Sequence, residues 1–281
     1  MRYDGELDFA LACANDAAER ILRFARDGYR VDTKLDLSPV TAADREVNAV
    51  FIEQVAARFP DDGVLGEEAS RAAGGPRTWV IDPVDGTQQF ILGVPVFMVS
   101  IALVDNGRPV LGVAVNPSTS ECYWAASGRG AYRDGTPIRV SARDGRGAPN
   151  VVSGEGADAN PGELTSDTLL RVGFAPELRL SPVRFPWPTV FSGCKVAEGA
   201  WDADLYGRSS AHDVAAVCVL VREAGGKVTD RSGRDQRYDR SVDGCVVSNG
   251  VIHDELVRLW SGLTARPRLR PAWHRRGRRS R

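Results

Sequence analysis

Apolar positions change period along this chain, and the change divides it into regions. Residues 5–27 carry Leu7, Leu11, Ala14, Ala18, Ile21 and Leu22 at helical spacing, closed by Asp27-Gly28. That spacing predicts an amphipathic helix. Residues 42–59 repeat it with Val47, Val50, Phe51, Val55 and Phe59, stopping before Pro60. Thr41 precedes this second helix as an N-cap, and Asp44 follows three residues on, where a capping box places its acid. The period then shortens. Residues 64–67 and 78–81 read as buried strands. Residues 97–104, 110–115 and 121–125 read as an antiparallel meander turned at Asn106-Gly107 and Asn116-Pro117.

Beyond Ser141 the texture changes again. Residues 144–150 are polar and Gly-containing, a candidate hinge. A strand at 151–153, helices near 162–172 and 194–200, a strand at 203–206, and a helix at 212–223 ending at Gly225-Gly226 follow. Strands at 227–229 and 244–248 and a last helix at 251–259 complete the alternation. The pattern predicts an α/β half, 144–265, packed on an α+β half, 1–143, with 266–281 as a separate tail.

Composition narrows the class. With 281 residues, 43% hydrophobic and 26% charged, the chain is expected to be soluble and globular, and no apolar run reaches the ~18 residues of a membrane span. The first residues lack an apolar signal core. The five cysteines (Cys13, Cys122, Cys194, Cys218 and Cys245) are scattered, which predicts reduced thiols in a cytoplasm rather than a disulfide frame or a zinc site. The formal charge of −1 hides eight arginines after Ala265; taking those eight from −1 leaves −9 for the body. A body this acidic argues against nucleic acid as the main partner, and the Arg-rich tail reads as a solvated, disordered extension.

The run Trp79-Val80-Ile81-Asp82-Pro83-Val84-Asp85-Gly86-Thr87 carries the candidate chemistry. Two carboxylates stand three residues apart where a strand-like segment ends. Proline fixes its own φ and extends the residue before it, so an Asp-Pro-x-Asp turn points both acids at one place. Like charges so close call for a cation, and hard divalent ions such as Mg²⁺ take oxygen ligands. Gly86 permits close backbone approach, and the amides of Gly86 and Thr87 at a helix start suit a phosphate. Metal-assisted phosphate chemistry follows from that pairing. A purely structural role stays open for each acid: Asp82 and Asp85 as turn residues, Asp44 as a capping acid, Asp213 as a complement to a helix dipole.

Gly66-Glu67-Glu68, then Asp82-Pro83-Val84-Asp85-Gly86-Thr87-x-x-Phe90, then His212-Asp213-Val214-Ala215-Ala216 with Glu223-Ala224-Gly225-Gly226, together resemble the inositol monophosphatase-like phosphatases over about residues 5–262. The resemblance implies a layered αβαβα sandwich of the inositol monophosphatase and fructose-1,6-bisphosphatase type, lithium-sensitive and dimeric. It implies that Glu67, Asp82 and the Val84 carbonyl hold one Mg²⁺, and that Asp82, Asp85 and Asp213 hold a second, with a third optional. It also implies that the Gly86 and Thr87 amides take the phosphate, while Thr87 and Asp44 orient a water for in-line attack. Glu68 reads as a neighbour of the ligand set. Lys34 and Asp36 fall where the family carries a loop near the optional ion.

Departures cluster before Asp213. His212 stands where relatives usually carry Trp, and residues 206–211 form a short segment without an acid. Arg208 there suits a second anionic group on the substrate, or is simply a surface arginine. Phe191-Ser192-Gly193-Cys194-Lys195 is similar to the 3′(2′),5′-bisphosphate nucleotidases and places Lys195 near a helix start, suited to phosphate. The run 90–97 resembles histidinol-phosphate and cyclitol phosphatases equally. The expected activity is therefore hydrolysis of a small polyol, cyclitol, sugar or nucleotide phosphate, against the alternatives of a bisphosphate nucleotidase, a histidinol-phosphatase, or a non-catalytic metabolite binder.

Overall fold

Strand pairing and buried faces set the architecture of the computed structural model, which describes residues 2–34, 39–146, 150–154, 180–182, 187–207, 209–242 and 244–264. The helix expected at 162–172, Asp36, Arg208 and the Arg-rich tail lie outside the described residues.

Helix α1 (Asp4–Asp27) leads into a hairpin, β1 (Val31–Thr33) and β2 (Pro39–Thr41), and then into α2 (Ala42–Arg58). Strands β3 (Gly63–Gly66), β4 (Ser70–Arg71) and β5 (Arg77–Asp85), the short α3 (Thr87–Ile91), and β6 (Met98–Asp105), β7 (Arg108–Val115), β8 (Cys122–Ala126), β9 (Ala131–Arg133) and β10 (Thr136–Ile138) follow. The remainder comprises β11 (Asn150–Gly154), β12 (Leu180–Pro182), α4 (Thr189–Ala197), β13 (Ala203–Tyr206), α5 (Ala211–Glu223), β14 (Lys227–Thr229), β15 (Cys245–Ser248) and α6 (His253–Thr264).

Among the described residues the first sheet has eight strands in the order β10-β9-β8-β7-β6-β5-β3-β4, antiparallel except for the parallel pair β3 and β5. The expected meander is present. Asn106 and Gly107 both adopt positive φ, 52° and 80°, giving the two-residue turn whose twist suits an antiparallel pair. Among the described residues the second sheet has five strands, β12-β11-β13-β15-β14, with β11 parallel to both neighbours and β15 antiparallel to both of its own.

Alternation along the strands explains the stacking. Trp79, Ile81, Val99, Ile101, Leu103, Leu111 and Val113 face α1 and α2, joining Leu7, Ala14, Val47 and Phe51 in one buried cluster. The intervening residues Val80, Ala102, Val104 and Ala114 face the other way, into a cluster with α4, α5, Val228 and Val247. Beyond the second sheet, Ala203, Leu205 and Val246 meet Ile252, Leu256 and Trp260 of α6. Helices, sheet, helices, sheet, helix is thus a five-layered αβαβα sandwich. With both faces of each sheet covered, its strands read as continuous apolar runs rather than half-polar ones.

Three local expectations are corrected. The strand at 78–81 does not stop before the acids: β5 continues to Asp85, and its pairing with β6 slips between Asp82 and Asp85. Asp82-Pro83-Val84-Asp85 is therefore a bulge within a strand, since proline removes one ladder donor and the extra residue is accommodated there. The helix placed at 194–200 begins earlier, at Thr189, directly after Pro188. Proline fits a helix start because its φ is preset and its missing N–H is not needed there. The last helix is displaced as well, running His253–Thr264 rather than 251–259.

Candidate metal and phosphate site

Four element ends deliver the acids. Strand β3 ends at Gly66, so Glu67 and Glu68 leave its tip; the bulge of β5 supplies Asp82 and Asp85; α2 and α5 each present an acid in their first turn. Asp44, Asp82 and Asp85 are buried, at 1%, 3% and 6% exposure, which is unusual for carboxylates and costly unless they are paired.

Their charges bear on one another. Burial, and then the charges of Glu67, Asp85 and Asp213, push the Asp82 carboxyl well above the ordinary range. Burial and the Asp213 charge push Asp85 up to about 8 against three opposing amide hydrogen bonds. Burial raises Asp213 too, offset by His212 and the Ser210 amide. Glu67, Asp82, Asp85 and Asp213 therefore share one electrostatic neighbourhood, although they lie up to 146 positions apart in the sequence.

Internal donors hold each of these side chains. The Val84 amide donates to Asp82 at 3.0 Å. The first amides of α4, from Thr189 and Val190, donate to the two oxygens of Asp85 at 3.0 and 2.8 Å. The Ser210 amide donates to Asp213 at 2.5 Å in a capping box. Lys34 lies 2.6 Å from Glu67 and 2.5 Å from Glu68. No three acidic, His or Cys side chains among the described residues stand as a ready-made ligand set. What gathers here is oxygen-rich and anionic, the donor chemistry of a hard divalent ion.

Thr87 and Asp44 come together as expected. The Thr87 hydroxyl lies 3.2 Å from Asp44 Oδ1 and 3.0 Å from the Val84 carbonyl. One hydroxyl proton cannot serve both acceptors fully. Drawing the Val84 carbonyl into other bonding would turn the Thr87 proton wholly to Asp44. Asp44 also accepts from the Thr41 amide and hydroxyl, closing the predicted capping box, and its burial raises its pKa.

Gly86 has to be glycine. Its φ is +89°, and a Cβ there would meet Pro188 Cγ at 2.6 Å. Pro188 immediately precedes α4, so the glycine that opens α3 is also the point where the second half of the chain presses against the acid strand.

Lys195 is placed differently from the expectation. It lies in the last turn of α4, paired with Glu198 at 2.9 Å and donating to the Tyr123 hydroxyl at 3.2 Å. The earlier helix start puts Thr189 and Val190, not Lys195, beside the acids. His212 stands 3.7 Å from Asp213 and borders a cleft of about 390 Å³ that also touches Gly66, Ser209, Asp239 and Arg240. Arg208 lies outside the described residues.

The sequence reading missed one contributor. Asn48 is fully buried on α2; its amide group donates to Ala69 O at 3.0 Å, and its oxygen accepts from the Glu68 and Ala69 amides at 3.2 and 3.4 Å. It staples the Glu67-Glu68 turn, and a Cβ on Gly66 would run into it at 2.2 Å. The available signal was a polar residue one helical turn after Asp44, on the face whose other members are apolar. Asp204 is buried in β13, its pKa raised to about 6 by burial against hydrogen bonds from Ser192, Tyr206 and the Leu205 amide. Two residues on, the Tyr206 hydroxyl donates to the Thr189 carbonyl at 3.0 Å, steadying the helix start that holds Asp85.

A family model described as the inositol monophosphatase family matches residues 4–264. A histidinol-phosphatase of Mycobacterium tuberculosis is 38% identical over 277 residues, covering 93% of this chain and 100% of its own. A fructose-1,6-bisphosphatase/inositol-1-monophosphatase of Thermotoga maritima is 34% identical, covering 78% and 81%. Among solved structures, the extragenic suppressor protein suhB of Bartonella henselae superposes with a TM-score of 0.81 at 28% identity, over 92% of this chain and 98% of that one. An IMPase of Thermotoga maritima gives 0.77 at 29% identity, over 92% and 98%.

Proposed function

The chain belongs to the inositol monophosphatase family and is a phosphoric monoester hydrolase, and we propose that it cleaves a small phosphorylated metabolite with two or three Mg²⁺ ions held by the acid cluster. One observation carries the metal reading. Asp82 is buried among Glu67, Asp85 and Asp213, an accumulation of negative charge that a divalent cation would relieve. The donors fit: carboxylates with a strand-bulge carbonyl, and no thiolate or imidazole among the proposed ligands. Glu67, Asp82 and Val84 O would hold one ion, and Asp82, Asp85 and Asp213 another. Such ions supply a nucleophilic water at neutral pH and charge for the leaving oxygen.

The chain's own groups do the positioning. Asp44, fixed by Thr41, keeps the Thr87 hydroxyl oriented so that its oxygen can accept from the attacking water. The Gly86 and Thr87 amides would hold the phosphoryl oxygens. The α4 amides fix both oxygens of Asp85, so its orientation is set before any ligand arrives. The reading predicts that Thr87→Ala lowers kcat about a hundredfold with little change in KM; a pure KM effect contradicts a water-orienting role.

Histidinol phosphate is the second substrate reading, supported by the histidinol-phosphatases of Mycobacterium tuberculosis, Chlorobaculum parvum and Streptomyces coelicolor at 38%, 35% and 32% identity. The bisphosphate-nucleotidase alternative loses one support, because Lys195 is engaged by Glu198 and Tyr123. A phosphate-release screen with Mg²⁺ over inositol 1-phosphate, histidinol phosphate, fructose 1,6-bisphosphate and 3′-phosphoadenosine 5′-phosphate decides among them. Release from none of the four rejects the substrate class.

Lithium inhibition and a homodimer are part of the proposal on family grounds, read by inhibition assay and by light scattering. A cytoplasmic location fits five free cysteines. No helix among the described residues is long and apolar enough to cross a membrane.

A further inference from the structure

Lys34 stands apart from the other groups that hold the acids. Asp82, Asp85 and Asp213 accept from backbone amides, which carry no net charge. Glu67 and Glu68 instead share a full positive charge, the Lys34 ammonium at 2.6 and 2.5 Å. The three side chains are mostly buried, at 22%, 25% and 11% exposure, so solvent screens the contact little. Lys34 donates a hydrogen bond to Glu67, while its contact with Glu68 is an ion pair.

The two glutamates are not equivalent. Their turn is fixed by Asn48, so neither can swing away with its backbone. Glu67 contributes to the field on Asp82 and belongs to the proposed ligand set; Glu68, the more buried of the two, lies beside it. Lys34, by contrast, follows the short hairpin strand β1 and reaches the turn on a four-carbon stem that can shift between acceptors. One ammonium thus bridges an acid assigned to a cation and one that is not.

We propose that Lys34 is a built-in competitor for the metal cradle: its ammonium neutralises Glu67, yields that carboxylate to a divalent cation, and remains on Glu68. This rests on the metal reading above and adds to it that the chain lowers its own affinity for the first ion, setting the ion concentration at which the site fills. Two cations contending for one carboxylate oppose each other, and a neutral side chain at 34 removes that opposition. Glu68 is the place to which the lysine withdraws, which accounts for a second, part-buried acid beside the ligand set.

Isothermal titration of the intact protein with MgCl₂, without substrate, tests this directly, with thermal unfolding in EDTA and in Mg²⁺ as a second readout. Lys34→Met is expected to bind the first Mg²⁺ about tenfold more tightly than the parent. It should also melt at a lower temperature in EDTA, because Glu67 and Glu68 lose their counter-charge, and gain more from Mg²⁺. Lys34→Gln should behave as Lys34→Met, and Lys34→Arg should stay close to the parent in both readouts. Equal or weaker Mg²⁺ binding by the two neutral variants overturns the competitor role, because a lysine that supports the ion would lose affinity when removed. A parent protein showing neither heat nor stabilisation with Mg²⁺ overturns the metal reading itself, a separate and distinguishable failure.

Discussion

Helices α2 and α5 begin with the same device and put it to different use. Thr41 with Asp44, and Ser210 with Asp213, both form complete capping boxes in which the third residue returns a carboxylate to the cap amide. Asp44 is almost wholly consumed: it accepts from the Thr41 amide, the Thr41 hydroxyl and the Thr87 hydroxyl, and is 1% exposed. Asp213 is fixed by the Ser210 amide, flanked by His212, and keeps 23% of its side chain exposed. One capping acid became a hydrogen-bonding support and the other a candidate ligand. The local motif therefore fixes where an acid stands, and the element opposite decides what it does.

The comparison breaks most sharply at Asp213. Asp213→Asn keeps a capping oxygen but removes a charge, so turnover should fall about a thousandfold and one bound Mg²⁺ should be lost, with the fold kept; calorimetric stoichiometry and circular dichroism check both. Asp44→Asn should cost about a hundredfold in kcat with the number of bound ions unchanged. Loss of an ion in that variant would erase the distinction between the two helix starts.

Helix α6 supplies a polar start away from the acids. His253 is fully buried between the Thr229 hydroxyl at 2.9 Å from Nε2 and the Ser248 hydroxyl at 2.8 Å from Nδ1. Thr229 donates to the Asp230 carbonyl, so the network assigns the imidazole proton to Nε2 and makes Nδ1 the acceptor. Burial first, and then Lys227, lower its pKa to about 4, against Asp254. The unfolded chain takes up this proton near pH 6.5 and the folded one only near 4, so stability falls as pH drops through that window. The loss should be about 2 kcal/mol between pH 7 and 5, read by denaturant unfolding, and His253→Gln should flatten it. The smallest effect belongs to the caps themselves. Thr41→Ala and Ser210→Ala should each cost about 1 kcal/mol, with activity falling further in Thr41→Ala because its hydroxyl also holds Asp44.

Much of this is legible in the sequence. Residues 42–59 announced a helix by Val47, Phe51 and Val55 and by its cap, and the structure agrees to within a residue. Asn106-Gly107 announced its hairpin. The motif spacing picked out the acids that share one field. Lys195 was misplaced because the run 189–197 has no polar face to mark its start; only Pro188 signals it. Asn48 went unnoticed because a single polar residue on an apolar face says nothing of the turn it meets. Asp82 to Asp85 read as a turn because proline and acids are turn residues, yet their partner strand β6 keeps them in the sheet.

Periodicity, caps and turn chemistry are properties of a few neighbouring residues, so the chain by itself determined its helices, its meander and the residues able to bear charge. Contacts between distant segments depend on how the layers stack, and these only the tertiary structure decided. Asp85 caught by the amides of Thr189 and Val190, Gly86 pressed by Pro188, and Lys34 set between Glu67 and Glu68 are all of that kind. Burial strips water from these groups, so each must find its partner within the fold, and that partner lies wherever the sheets bring it.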